Sequence, residues 1–130
     1  MNSKKKGNLW ENRLANYLRD NGVKAWKDGA SGAGSREKGD IGNNLDFTIE
    51  SKAAKNINLM EWWRQVCHSA SMHHNSPVLF IHQDGMARDS WLVVMESGDW
   101  LELIKQSNEL LTQKNIKVNE EKWKRLKNQT

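Results

Sequence analysis

The chain of 130 residues has a single cysteine and no long apolar run. Because Cys67 has no second cysteine with which to form an internal disulfide, we expect a protein of a reducing compartment. No apolar stretch is long enough to cross a bilayer, and the lysine-rich start lacks the apolar segment of a signal peptide. We therefore expect a cytoplasmic protein with no membrane partner.

Patterns typical of zinc sites and thiol nucleophiles are also missing. The four histidines, His68, His73, His74 and His82, match no standard zinc spacing, and only one cysteine could join them. Cys67 lies among apolar positions of a predicted helix, which favours a place in the core over a catalytic role.

Positive charge is in excess, with a net charge of +4 and an isoelectric point near 9.3. This balance favours a polyanionic partner. Two basic groups lie at the ends of the chain and are equally explained as solvated termini. They are Lys4, Lys5 and Lys6 at the start, and Lys122, Lys124, Arg125 and Lys127 at the end. A third group, Lys27, Arg36 and Lys38, flanks a loop rich in glycine and serine.

Hydrophobic periodicity predicts one α/β domain with a central mixed sheet flanked by helices, in the order αβββαββα plus a short C-terminal helix. Helices are predicted over 8–21, 58–73 and 99–111, with a last one from 119, and strands over 23–27, 39–41, 45–52, 78–81 and 91–95. The glycine-rich segment 28–38 is predicted to be a loop. We place the domain at 1–115 and a basic C-terminal helical tail at 116–130.

The strand that ends in Glu50, Ser51 and Lys52 carries the most informative residues. Because side chains alternate along a strand, Glu50 and Lys52 point to one face while Ile49 points to the other. Asp40 provides a second carboxylate ten residues before Glu50. Two carboxylates and an ammonium group in this arrangement suit a divalent cation held beside an attacking water. The pattern therefore indicates phosphodiester cleavage, although Glu50 and Lys52 could also form a structural ion pair.

Two further carboxylates bear on this site. Asp46 is the alternative to Asp40, but its offset of four residues from Glu50 leaves no room for a turn between two strands. In one continuous strand Asp46 would share a face with Glu50, so the sequence favours Asp40 without excluding Asp46. Glu11 lies on the inward side of the first helix, where it could join the site or simply stabilise the first helical turn.

These residues resemble the PD-(D/E)XK nuclease superfamily, and more closely the archaeal-type Holliday junction resolvases and their virus-encoded relatives. The resemblance extends from about Gly7 to about Met95 and implies a restriction-endonuclease-like fold. Its elements are Gly7-x-x-x-Glu11, Ser31-Gly32, Asp40, Glu50-Ser51-Lys52 and Gln65 on the following helix. The sequence departs from the family pattern at two points. Gly39 stands where a proline often precedes the aspartate, and the spacing from Asp40 to Glu50 is shorter than in many archaeal resolvases. Both differences concern the choice of DNA substrate.

The resemblance implies a metal-dependent endodeoxyribonuclease that resolves four-way DNA junctions by paired nicks. Mg²⁺, or Mn²⁺ in its place, would be bound by Glu11, Asp40, Glu50 and the carbonyl of Ser51. Lys52 would assist the attacking water. DNA would be contacted by Ser31, Gly32, Lys27, Arg36, Lys38 and Gln65, although the loop could also be a plain connector and Gln65 an exposed polar residue.

The same resemblance implies a homodimer without a small-molecule cofactor, located near the nucleoid or, for a virus-encoded protein, in the host cytoplasm. Two alternatives stay open. The chain could be an endonuclease for other branched or duplex DNA, or a non-catalytic DNA-binding protein on a nuclease fold.

Overall fold

A computed structural model describes residues 3–27, 37–114 and 127–128, with side chains at 4–27, 41–112 and 127–128. The elements are α1 (Ser3–Asp20), β1 (Ala25–Lys27), β2 (Glu37–Asn43), β3 (Phe47–Ala54), α2 (Leu59–Met72), β4 (Ser76–Gln83), β5 (Leu92–Met95) and α3 (Ser97–Lys114). This confirms the predicted order αβββαββα. The first helix starts earlier than predicted, because the lysines before residue 8 are good helix formers and extend it.

The five strands form a sheet in chain order, β1-β2-β3-β4-β5. β1 is antiparallel to β2, β3 is parallel to β4, and β4 is antiparallel to β5. β2 and β3 are joined by residues 44–46 and meet where Gly39 lies opposite Ile49. The α/β class with a mixed sheet is thus confirmed.

The two faces of the sheet are covered by different helices. Val78 and Leu79 are consecutive in β4, yet they belong to separate core clusters, as expected for side chains that alternate along a strand. The first cluster joins α1 to the sheet and comprises Leu14, Ala15, Leu18, Ala25, Ile41, Ile49 and Val78. The second joins α2 to the other face through Val66, Leu79 and Ile81. Because side chains alternate along a strand, the residue before or after a member of one cluster points to the opposite face of the sheet.

The connection between β2 and β3 is organised by the amide of Asn43, which is fully buried. Its Nδ2 donates to the carbonyl oxygens of Ile41 at 3.2 Å and Phe47 at 3.1 Å. Its Oδ1 accepts a hydrogen bond from the backbone N–H of Leu45 at 2.9 Å. One side chain therefore ties the end of β2 to the start of β3.

The chain divides into two compact units, residues 1–96 and residues 97–130. The second unit contains α3, which begins at Ser97, two residues before the predicted start, and has Asp99 in its first turn. The predicted helix from residue 119 lies outside the described residues apart from Lys127 and Asn128. The predicted boundary at 115/116 stays a prediction. Among the described residues, no helix is long and apolar enough to span a membrane.

Candidate active site

Glu50 lies in the middle of β3 on the sheet face that α2 covers. Its neighbour Ile49 is buried in the α1 cluster, so the half-buried Glu50 side chain points the other way. There the Oγ of Ser69 in α2 donates a hydrogen bond to Glu50 Oε1 at 3.0 Å. A hydrogen bond from a helix in the core fold restricts the orientation of this carboxylate.

Lys52 follows Glu50 in β3, and Gln65 precedes Ser69 in α2. Because α2 connects the parallel strands β3 and β4, it runs back along the sheet. Gln65 precedes Ser69 by four residues, or about 6 Å along the helix. Lys52 follows Glu50 by two residues, or about 6.6 Å along the strand. Gln65 is therefore level with the half-buried Lys52 along the sheet, but its side chain is exposed, as the alternative of an ordinary polar helix residue also predicts. A role for Gln65 at the site stays a prediction.

Glu11 lies in α1 beside the end of β1. Lys27 Nζ is 4.0 Å from Glu11 Oε2 and donates to Asn8 Oδ1 at 3.1 Å. The Glu11 side chain is only 18% exposed, which agrees with its predicted place on the inward side of the helix. Lys27, predicted as a DNA contact, is thus also a counter-charge for Glu11.

The backbone of Asp40 lies in β2, directly after Gly39, which meets Ile49 of β3. Asp40 and Glu50 therefore belong to neighbouring strands at the point where those strands touch. The side chain of Asp40 lies outside the described residues, as does that of Lys38, and so do Ser31, Gly32 and Arg36 entirely.

Asp46 is placed differently from Asp40. It is exposed in the connection before β3, and its carbonyl oxygen accepts a hydrogen bond from the Ser76 N–H at 3.0 Å. Its distance from Glu50 along the chain corresponds to about 13 Å of strand. Such a separation is too large for both carboxylates to bind one ion, which favours Asp40 as the partner of Glu50.

The predicted ligand atoms of Glu50 and Ser51 are oxygens, the ligands that Mg²⁺ and Mn²⁺ prefer. Ser51, whose carbonyl is a predicted ligand, is buried beside Glu50 in β3. Within the side chains that the structure describes, no group of three or more His, Cys, Asp or Glu could hold a metal ion. A complete site would require Asp40, which is not among them.

His82 belongs to the packing of the domain, whereas Cys67 is half-buried and lies in neither core cluster, which differs from its predicted place in the core. Burial raises the pKa of the Cys67 thiol, so the thiol stays protonated at neutral pH and is a poor nucleophile. His82 is buried, stacks on Trp10 with 3.8 Å between the ring centroids, and forms a hydrogen bond between its Nε2 and the carbonyl oxygen of Ala87 at 3.0 Å.

Comparison with known protein families gives a match over residues 2–130, to the family described as "Phage putative PDDEXK endonuclease". The chain belongs to this family. Membership in the phage endonuclease family places the chain in the PD-(D/E)XK superfamily, as the pattern of Asp40 and Glu50-Ser51-Lys52 predicted, and supports a nuclease. It supports a phage relative and does not extend to the narrower likeness to Holliday junction resolvases. No curated protein and no solved structure matches the chain.

Two residues of the candidate site were missed in the sequence. Ser69 is four residues after Gln65, and this spacing on one helix face could have indicated it. Asn43 looked like an ordinary turn residue, and nothing in the sequence showed that its amide would be buried between two strands.

Proposed function

We propose that the chain is a divalent-metal-dependent endodeoxyribonuclease whose active site is centred on Glu50. The observation that carries this proposal is the Glu50 carboxylate, oriented by Ser69 at 3.0 Å on the strand that also presents Lys52. The family match over residues 2–130 supports the same chemistry.

The residues of the proposed site have two roles. Glu50, Asp40 and the carbonyl of Ser51 would hold the cation. Glu11, the further ligand that the resemblance implies, lies on α1 beside Lys27, on the sheet face opposite to Glu50, so it would have to reach the cation around the edge of the sheet. A divalent cation at this position supplies an activated water and offsets charge on the scissile phosphate. Lys52 would orient that water or stabilise the charge that develops on the phosphate.

The acidic residues also argue against a protein that only binds DNA. Carboxylates facing DNA repel phosphates unless a cation lies between them. Residues 1–115 would form the nuclease domain, and the basic segment 116–130 would extend the contact with DNA.

The finer proposal for the substrate is a four-way DNA junction. Such a junction has approximate two-fold symmetry and needs two paired nicks, and a symmetric homodimer would present two sites in the matching arrangement. The alternative substrates are other branched DNA and plain duplex.

Strand cleavage of a labelled four-way junction, a flap and a linear duplex of matched sequence tests this proposal. We expect cleavage with Mg²⁺ or Mn²⁺, none with EDTA, and loss of cleavage in Asp40→Asn. Paired nicks in the junction alone would identify a resolvase, and cleavage of all three a general endonuclease. Binding of DNA without cleavage of any substrate would contradict the catalytic proposal.

Removal of the Ser69 hydroxyl tests how Glu50 is positioned. In Ser69→Ala the Glu50 carboxylate loses a hydrogen bond, so we expect cleavage to fall about 10- to 100-fold, as for other residues that orient metal ligands. The Mg²⁺ concentration for half-maximal cleavage should rise, whereas purely structural damage would lower the melting temperature instead. Ser71→Ala, an exposed position on the same helix, is the matched control. Unchanged metal dependence in Ser69→Ala would refute this role.

A further inference from the structure

Trp26 is a large aromatic side chain that is 49% exposed in the short strand β1. It lies opposite Gly42 of β2. A Cβ atom added at Gly42 would come within 2.1 Å of the indole Nε1. The indole therefore lies directly on the Gly42 backbone, and the glycine makes room for it. One side of the indole therefore packs on the backbone of Gly42, and about half of the side chain is exposed to solvent.

This ring lies on the same face of the sheet as the proposed catalytic residues. Ala25 is buried in the α1 cluster, so the next residue, Trp26, points to the opposite face. By the same alternation Ile49 faces α1, and Glu50 and Lys52 face away from it. Strands are about 4.8 Å apart, so β1 lies about 10 Å across the sheet from β3. About three nucleotides at the spacing of one DNA strand cover such a distance.

Positive charge lies beside the exposed ring at β1, the outermost strand of the sheet, where residues of α1 and the indole line one concavity. A concavity of about 460 Å³ is lined by Arg19, Gly22, Val23, Lys24, Ala25 and Trp26. Arg19 Nη1 donates to the carbonyl oxygen of Ala25 at 2.7 Å, and Nη2 donates to Asn16 Oδ1, so the guanidinium is held in place. Lys24 is exposed. Two cations beside an aromatic ring suit an anionic ligand with a flat group.

We propose that Trp26, Arg19 and Lys24 form a binding site for an unpaired nucleotide of DNA, with the base stacked on the indole and the phosphate near the cations. Stacking on aromatic side chains is a common mode of single-strand binding and tolerates any base. This inference rests on the proposed function, to which it adds a preference for DNA with unpaired bases near the cut. Paired bases inside a duplex are already stacked on one another and cannot reach the ring.

Equilibrium binding in EDTA tests this site without cleavage, using fluorescence anisotropy of a labelled single strand, a flap and a blunt duplex with the full chain. Trp26→Ala should weaken binding of the single strand and the flap roughly tenfold and change duplex binding less than about twofold. Trp26→Phe should retain most of the affinity because it keeps a ring. Trp100→Ala is the matched control, since Trp100 is 51% exposed in α3. Circular dichroism should show that each variant is folded.

Wild-type affinity of Trp26→Ala for the flap would overturn the proposal, as would an equal loss on flap and duplex. Equal losses in Trp26→Ala and Trp100→Ala would also overturn it, because they would reflect a general effect of exposed aromatic residues. This binding measurement is independent of the cleavage assay that tests the proposed nuclease activity. Binding in EDTA does not need the catalytic carboxylates, so a failure of cleavage would leave the binding result interpretable, and a failure of binding would leave cleavage intact.

Discussion

Glu50→Gln should lose DNA cleavage by at least about 100-fold and still bind DNA. Glutamine keeps the size of the side chain and an oxygen that can accept the Ser69 hydrogen bond, but it removes the negative charge that a divalent cation requires. Changes to groups that merely orient metal ligands cost about 10- to 100-fold, so loss of a ligand itself should cost more. The measurement is single-turnover cleavage of labelled DNA at saturating Mg²⁺.

Melting temperature and a control variant distinguish loss of catalysis from loss of the folded structure. Because Glu50 is half-buried and close to Ser69, the neutral glutamine should leave the melting temperature within a few degrees of the wild type. Glu102→Gln, an exposed position in α3, removes the same charge elsewhere and should cleave normally. DNA binding in EDTA should be equal or tighter in Glu50→Gln, since one repulsion with phosphate is removed. Cleavage by Glu50→Gln at the wild-type rate would exclude Glu50 from the active site.

The order of helices and strands could be predicted because each produces a periodic pattern of apolar residues in the sequence. The apolar run Val78 to Ile81 predicted a strand buried on both faces, and β4 has α1 on one side and α2 on the other. The helix over 58–73 was predicted nearly to its ends, since Leu59–Met72 carries its apolar residues at helical spacing.

The contacts of the site could be predicted only in part. Alternation along β3 correctly separated Glu50 from Ile49, because a period of two is a local property of the strand. The contact between Glu50 and Ser69 depends on how α2 crosses the sheet, and that geometry leaves no local signal. The same holds for Lys27, which was predicted as a DNA contact and also lies 4.0 Å from Glu11. Contacts of this kind depend on the packing of helices against strands that are distant in the sequence.

Asn43→Ala should destabilise the fold by about 2–4 kcal/mol and should slow cleavage as well. The substitution removes the hydrogen bonds to the carbonyls of Ile41 and Phe47 and to the N–H of Leu45. Each polar group left without a partner in a buried position costs about 1–3 kcal/mol, and water can reach part of this turn because residues 44–46 are exposed. Urea denaturation followed by circular dichroism measures the free energy of unfolding.

The neighbouring residue provides the matched control. Asn44 has the same side chain but is exposed, so Asn44→Ala should change the free energy of unfolding by less than about 0.5 kcal/mol. Cleavage should fall in Asn43→Ala even in conditions where the protein is fully folded, because Asn43 ties β2, with Asp40, to β3, with Glu50. Equal stability of the two variants would show that the buried amide does not hold the strands together. Normal cleavage by a folded Asn43→Ala would show that the spacing of Asp40 and Glu50 is set elsewhere in the sheet.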